Sequence, residues 1–349
     1  MVDRDAGLRQ LGELPTVFHK PLLQIGRHIF AMRDGVISGN CKISNVFELI
    51  GYPMPSYRDH RRKNTRMPKT NVFPAMLIRA LPVAIASALM SSVALATSLS
   101  GPVTFGSPNQ PFGMRRPVTA ADRALIAGYR SMSPIFSTTF SKPDELQSDW
   151  TAQTDDLAAL KSCRRPSNVE TSNVGARFKT LVATDCRARW STGSIFTKAQ
   201  YSYGFFEATI KIADIKGMNN AFWLTTQGHY EIDIGEIQYP NYSHIGLQYW
   251  PTGKSEKHAG VGFGANFTDN LSYGFHDYGV LWTPKELIFE VDGEPVAALV
   301  TDDAIKGPAN IWLSAALADW AGGSVPDHPE GHGMVVKSLR VTGLKASDR

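Results

Sequence analysis

The stretch that decides the fold is "HYEIDIGEIQYPN", residues 229–241. Glu231 and Asp233 keep a strict two-residue rhythm, with Ile232 and Ile234 filling the alternate places. On a strand, successive side chains point to opposite faces, so the two acids share one face and the isoleucines the other. Glu236 arrives one residue late, just after Gly235, and on a regular strand it would point away from its companions. One extra residue at Ile234-Gly235, a β-bulge, returns it to their face, with glycine there to tolerate a strained backbone. Such a row of carboxylates is poor core material, because unpaired buried charge is very costly. It either lines a wet cleft or marks an exposed acidic edge with no chemistry, since acidic side chains are usually simply solvated.

Outward from this strand the chain keeps the same character. From residue 131 on, runs such as "GFFEATIKI", "NAFWLTT", "HIGLQYW", "DYGVLWT", "ELIFEV" and "ANIWLSAAL" are short, rich in β-branched and aromatic residues, and separated by Gly, Pro, Asn and Asp. Phe206, Ala208, Ile210 and Ile212 alternate with Glu207, Thr209 and Lys211. Asp292-Gly293 between two apolar runs predicts a hairpin. Helical periodicity is confined to the neighbourhoods of 120 and 145. Many antiparallel strands without intervening helices predict an all-β sandwich, and residues 131–349 suit a single domain. Residues 97–130, rich in Pro and Gly, read as a linker or as a strap laid over the body.

The formal charge of +4 belongs to the leader. Residues 1–96 hold 13 of the 36 Lys/Arg and 6 of the 32 Asp/Glu, leaving 23 basic and 26 acidic groups in the remainder. That balance points away from nucleic acid as a partner. The basic run "RRKNTRMPK", the apolar "LPVAIASALMSSVALA" and its Ala-x-Ala exit predict a signal peptide over 67–96, cut after Ala96. The apolar stretch is short for a membrane span, so a secreted or periplasmic protein without stable membrane association is expected. Residues 1–66 show no sustained period and read as an extension, disordered or ahead of a true start at Met67. Of the three cysteines, Cys41 lies in that extension. Cys163 and Cys186 remain as a pair, either a disulfide favoured by export or two buried thiols.

"YSYGFFEATIKIADIKGMNNAFWL", then "EIDIGE", then "FHDYGVLWTPKELIFEVDG" resemble, in order, the signature blocks of glycoside hydrolase family 16. The resemblance extends from about residue 132 to "KSLRVTGL". Glu231, Asp233 and Glu236 match the family's Glu-x-Asp-x-x-Glu in its bulged, laminarinase-like form. It implies a jelly-roll of two curved antiparallel sheets with a concave cleft. It also implies retaining endo-hydrolysis of a β-linked polysaccharide, with Glu231 as nucleophile, Glu236 as general acid/base and Asp233 as their assistant. β-1,3-Glucan is the first expectation. Galactan-type hydrolysis, transglycosylation and a non-catalytic carbohydrate-binding protein on the same fold stand as alternatives. Two departures bear on substrate: Asn219-Asn220 replace a frequent Trp-Pro, and His244 is followed by Gln248 rather than a second histidine.

Flat aromatic rings suit pyranose faces at little entropic cost. Trp223, Trp250 and Trp320 are therefore candidate platforms, and Asn219, Asn220, His244 and Gln248 candidate polar contacts. Trp282 and Trp312, flanked by apolar residues, are expected in the core. His276 is expected to be structural, as are equally His229 and Tyr230. His328 and His332 lie in a loop and lack a third metal ligand. No cofactor is required by this chemistry. A structural calcium, common in the resembled family, would need oxygen ligands that the spacing does not reveal. The expected partner is a polysaccharide, met by a monomer.

Overall fold

The computed structural model describes residues 96–99, 103–105, 114–252 and 258–348. The extension 1–66, Cys41 and all of the leader before Ala96 lie outside these residues.

Alternation does what the sequence predicts. Two nine-stranded sheets face each other through one continuous apolar layer. In the first, the acid strand Tyr230–Gln238 sits centrally between Tyr242–Tyr249 and Met218–Thr226. Beyond them lie Ala259–Phe267 on one side and Ala309–Leu317 on the other. In the second, Gly204–Lys211 runs between His276–Trp282 and Gly333–Thr342. Phe222, Ile232, Ile234, Ile245 and Leu313 of the first sheet meet Phe206, Ile210, Val280, Phe289 and Val341 of the second, all essentially without exposure. At about 25 cal/mol per Å² of apolar area, an interleaved layer of this kind is the main stabilising term of a sandwich. Asp292 and Gly293 both take positive φ, 52° and 84°, which makes the expected tight hairpin between Glu286–Val291 and Glu294–Val300.

Within residues 97–130, the structure adds regular elements. Ala96–Leu99 and Val103–Phe105 both pair antiparallel with Ala259–Phe267, and Met114–Arg116 pairs with Glu294–Val300 of the other sheet. The helix Ala120–Arg130 begins at a capping box, Thr119 and Asp122 each accepting from the other's backbone N–H. Its Ile126 and Tyr129 cover Phe205, Leu281, Ile288 and Ala298 on the outer face of the second sheet. The second short helix, Pro143–Asp149, opens with proline at the position where no N–H is needed. Among the described residues, no helix is long and apolar enough to cross a membrane.

Cys163 and Cys186 form a disulfide. It ties the strand Ser162–Arg164 to the loop before Trp190–Thr192, in a small three-stranded sheet. Closing a loop of this size stabilises by about 3 kcal/mol in the chain-entropy account.

Candidate active site

The acid strand is bulged where its spacing requires. Against Tyr242–Tyr249, Asp233 pairs with Gly246 and Glu236 with His244, so Ile234 and Gly235 together oppose the single residue Ile245. The strand on the other side registers the same extra residue, with Phe222 opposite Gly235 and Trp223 opposite Asp233. The reason for the glycine differs from the expectation. Gly235 is not among the positive-φ residues. A Cβ there would stand 3.1 Å from Cγ1 of Ile237 and 3.4 Å from Oγ of Ser243, so space rather than strain selects it.

With the bulge in place, Glu231, Asp233 and Glu236 face one cavity of about 170 Å³, which Arg164, Asn219, Ala221, Trp223 and Ser314 complete. Glu236 also borders an open hollow of about 690 Å³ lined by Gln238, Tyr239, Tyr242, His244 and Trp320. The late acid thus stands where the two spaces meet. Carboxylate oxygens of Asp233 and Glu236 and a ring nitrogen of His244 lie within 4.8 Å of one another.

Each acid has its own partners. Asn219 donates to Oε1 of Glu236 at 2.8 Å, and Nδ1 of His244 sits 3.0 Å from Oε2. Asp233 is only 5% exposed and receives Nε2 of Gln248 at 3.4 Å. Burial, reinforced by the charges of Glu231 and Glu236, pushes its carboxyl well above the usual range. Glu231 is pushed up to about 7, chiefly by burial and further by Glu236, while the Trp250 side chain, hydrogen-bonded to it, and the Arg164 charge pull the other way.

The wall of the cleft is aromatic. Trp223 stacks on Trp312 at 4.7 Å, and Trp312 on Phe196 at 4.4 Å. Their indole N–H groups are held by Ser314 and Thr225. On the other flank Trp250 lies flat on His258, ring centroids 3.6 Å apart. Trp320 stands on the rim of the open hollow, 53% exposed.

Two expectations are corrected. Asn220 does not face the cleft: it is fully buried, donates to the carbonyls of Met218 and Ile237, and accepts from the Ala213 N–H. The two-residue alternation gives the cleft to Asn219 and the interior to its neighbour. Trp312 is not core. It shares its face with Asn310 and Ser314, and that polar parity outweighs its apolar immediate neighbours. Trp282, in contrast, is buried, and His276 is structural, its Nδ1 2.8 Å from Asp292. His332 pairs with Asp214, away from the acid row.

Sequence reasoning missed Arg164, Phe196 and His258. It also missed the signal in "GVGFG", alternate glycines on the strand beside His244. A Cβ at Gly262 would come within 2.3 Å of Nε2 of His244, and one at Gly264 within 2.6 Å of Oη of Tyr242. These glycines leave room for the side chains that border Glu236.

Among the described residues, side chains able to gather on one metal ion occur twice. One set is Cys163, Asp185 and Cys186, whose sulfurs are joined to each other. The other is Asp233, Glu236 and His244. Neither is an all-oxygen set of the kind calcium takes.

Comparison with known proteins agrees with this geometry. The profile of glycosyl hydrolases family 16 matches residues 159–335. Endo-1,3-1,4-beta-glycanase ExoK of Rhizobium meliloti is 32% identical over 145 residues, covering 38% of this chain and 51% of that protein. Xyloglucan endotransglucosylase/hydrolase protein 3 of Arabidopsis thaliana is 30% identical over 139 residues, 38% of this chain and 47% of that one. The chain therefore spans about half the length of these curated relatives. In fold it is similar to the laminarinase catalytic domain of Thermotoga maritima, with a TM-score of 0.54 at 16% identity over 61% of this chain and 98% of that one. The endo-β-1,3-glucanase of Pyrococcus furiosus gives 0.53 at 19% identity, over 60% and 94%. A two-sheet jelly-roll, a bulged acid row over a cavity and a profile match across half its length lead to one assignment: the chain belongs to glycosyl hydrolase family 16.

Proposed function

We propose that the protein is a retaining endo-glycosidase acting on a β-glucan that contains 1,3 linkages. The observation that carries this is the bulge, which brings two glutamates with different surroundings to one cavity. Glu231, half-buried and touched by Trp250, is the nucleophile. Its carboxylate bonds to the anomeric carbon as Glu236 gives a proton to the departing glycosidic oxygen. Glu236, now a carboxylate, takes a proton from water, whose oxygen displaces Glu231 and restores both groups with net retention. Asp233 keeps its proton and stabilises the charge on its neighbours. Trp223 and Trp312 supply a stacking surface, and the hollow beside Glu236 receives the leaving half of the chain.

The substrate class rests on the bulged spacing, similar to that of laminarinases, and on relatives named for 1,3-1,4-β-glycanase and β-glucanase activity. A second reading, transglycosylation, has the same open hollow in its favour. A sugar hydroxyl held there would intercept the glycosyl ester in place of water. The proposal includes export, supported by the Cys163–Cys186 disulfide, a bond that oxidising compartments favour.

The test is digestion of laminarin, mixed-linkage glucan, xyloglucan, agarose and carrageenan, scored by released oligosaccharide and by the anomer formed first. Turnover of laminarin or mixed-linkage glucan with β product is expected. Binding without cleavage of any polymer would make the protein a carbohydrate-binding module, and first-formed α product would refute the double displacement.

A further inference from the structure

Resting on the hydrolase reading above, we infer that His258 is a positioning residue that holds two of the three acids in place through two separate intermediaries. It stands just before the strand Ala259–Phe267, two strands away from the acids. Its Nε2 lies 3.2 Å from Oε1 of Gln248, and the other end of that amide lies 3.4 Å from Oδ2 of Asp233. An amide oxygen only accepts, so the imidazole must donate from Nε2. That choice turns the Gln248 NH₂ toward Asp233. Meanwhile the imidazole plane lies against the Trp250 indole, 3.6 Å between centroids and 6° from parallel, and the Trp250 side chain is hydrogen-bonded to Glu231.

One half-buried ring thus braces both branches. Burial also keeps its pKa below the usual imidazole value, which favours the neutral ring near neutrality. The charged groups acting on Glu231 are Glu236 on its own strand and Arg164 from Ser162–Arg164. Asp233 is acted on by Glu231 and Glu236. Within this arrangement Gln248, where the resembled family often has histidine, acts as a neutral spacer that reaches an imidazole at the edge of the next strand.

Three variants separate the branches. His258→Phe keeps a flat ring against Trp250 but loses the donor to Gln248. His258→Gln keeps a donor but loses the stack. His258→Ala loses both. The readouts are kcat and KM on the best polysaccharide, the acid limb of kcat/KM, and the pH titration of the Trp250 indole N–H signal by NMR. His258→Ala is expected to lower kcat by about ten- to a hundredfold with KM within about twofold, the pattern of misplaced reacting groups. Its acid limb and indole titration should both move to higher pH, because a loosened Trp250 stabilises the Glu231 anion less. His258→Gln should shift the titration, whereas His258→Phe should lower kcat and leave the titration in place. A His258→Ala protein with wild-type kcat, acid limb and indole titration would overturn the inference. If it does not fold, the Phe and Gln variants decide, one branch each. Should the wild type cleave no polymer at all, the hydrolase reading falls on its own, and the indole titration still decides whether His258 braces Glu231 through Trp250.

Discussion

Among the described residues, two clusters of three acids, one on the outer face of each sheet, are built in opposite ways. On the second sheet, Glu207, Asp277 and Glu290 surround Arg130 at the end of the Ala120–Arg130 helix, and Arg340 approaches Glu207 from the far side. Glu290 has no side-chain exposure, and the Gly293 N–H also donates to it. On the first sheet, Glu231, Asp233 and Glu236 have one cation lining their cavity, Arg164, and that guanidinium is already paired with Asp155 at 3.0 Å. Their other partners are neutral or titratable: Asn219, Gln248, Trp250 and His244. Burial raises Glu207 as it raises Glu231, yet for Glu207 two arginines oppose the shift. The lesson is that acids compensated by arginine fasten a helix to a sheet, whereas acids left with protons to exchange can do chemistry.

The widest separation should come from activity. Glu231→Gln is expected to abolish turnover, and Glu236→Gln to lower kcat by at least about a thousandfold on substrates with poor leaving groups. Both should keep the wild-type circular dichroism spectrum. The same substitution at Glu207 should leave kcat nearly unchanged; a comparable loss there would erase the contrast.

Next in size is stability. Arg130→Met leaves buried carboxylates without their cation, so a loss of about 3–5 kcal/mol is expected in urea unfolding. An unchanged midpoint would mean that the second cluster contributes nothing to holding the helix.

Glu231 itself should act in the reverse direction. Its pKa of about 7 in the folded protein lies above the ordinary glutamate value of 4.5. The folded state therefore holds a proton that the unfolded chain has lost, and stability from this group falls as pH rises from about 4.5 through 7. Glu231→Gln removes that loss. It should be more stable than wild type by about 3 kcal/mol at pH 8, and the two should converge near pH 4. A destabilised Gln variant at pH 8 would contradict the raised pKa of Glu231.

The same ionisation sets the smallest effect that remains easy to read. A nucleophile must be charged, so kcat/KM should fall about tenfold per pH unit well below 7. An acid limb near 4.5 would show that Glu231 is not held up in the free enzyme.

Much of this was legible in the residues. The period of two placed the strands, the Asp292-Gly293 pair placed a hairpin, and the glycine inside the acid row placed the bulge. Alternation also carried more than was first taken from it. Asn219 against Asn220, and Trp312 between Asn310 and Ser314, are both settled by parity along a strand. What parity along one strand cannot give is the neighbour on another strand or sheet, which is why Arg164, Phe196 and His258 went unread.

The sequence by itself determined which side chains share a face, because a strand's geometry repeats every two residues whatever surrounds it. It also determined that three acids would stand in a row once a single residue was added. Only the tertiary structure decided which cluster would gather around arginine and which would face a cavity. That outcome depends on where a helix from residues 120–130 and its arginine come to rest, and on which strands, far apart in the chain, lie beside each acid.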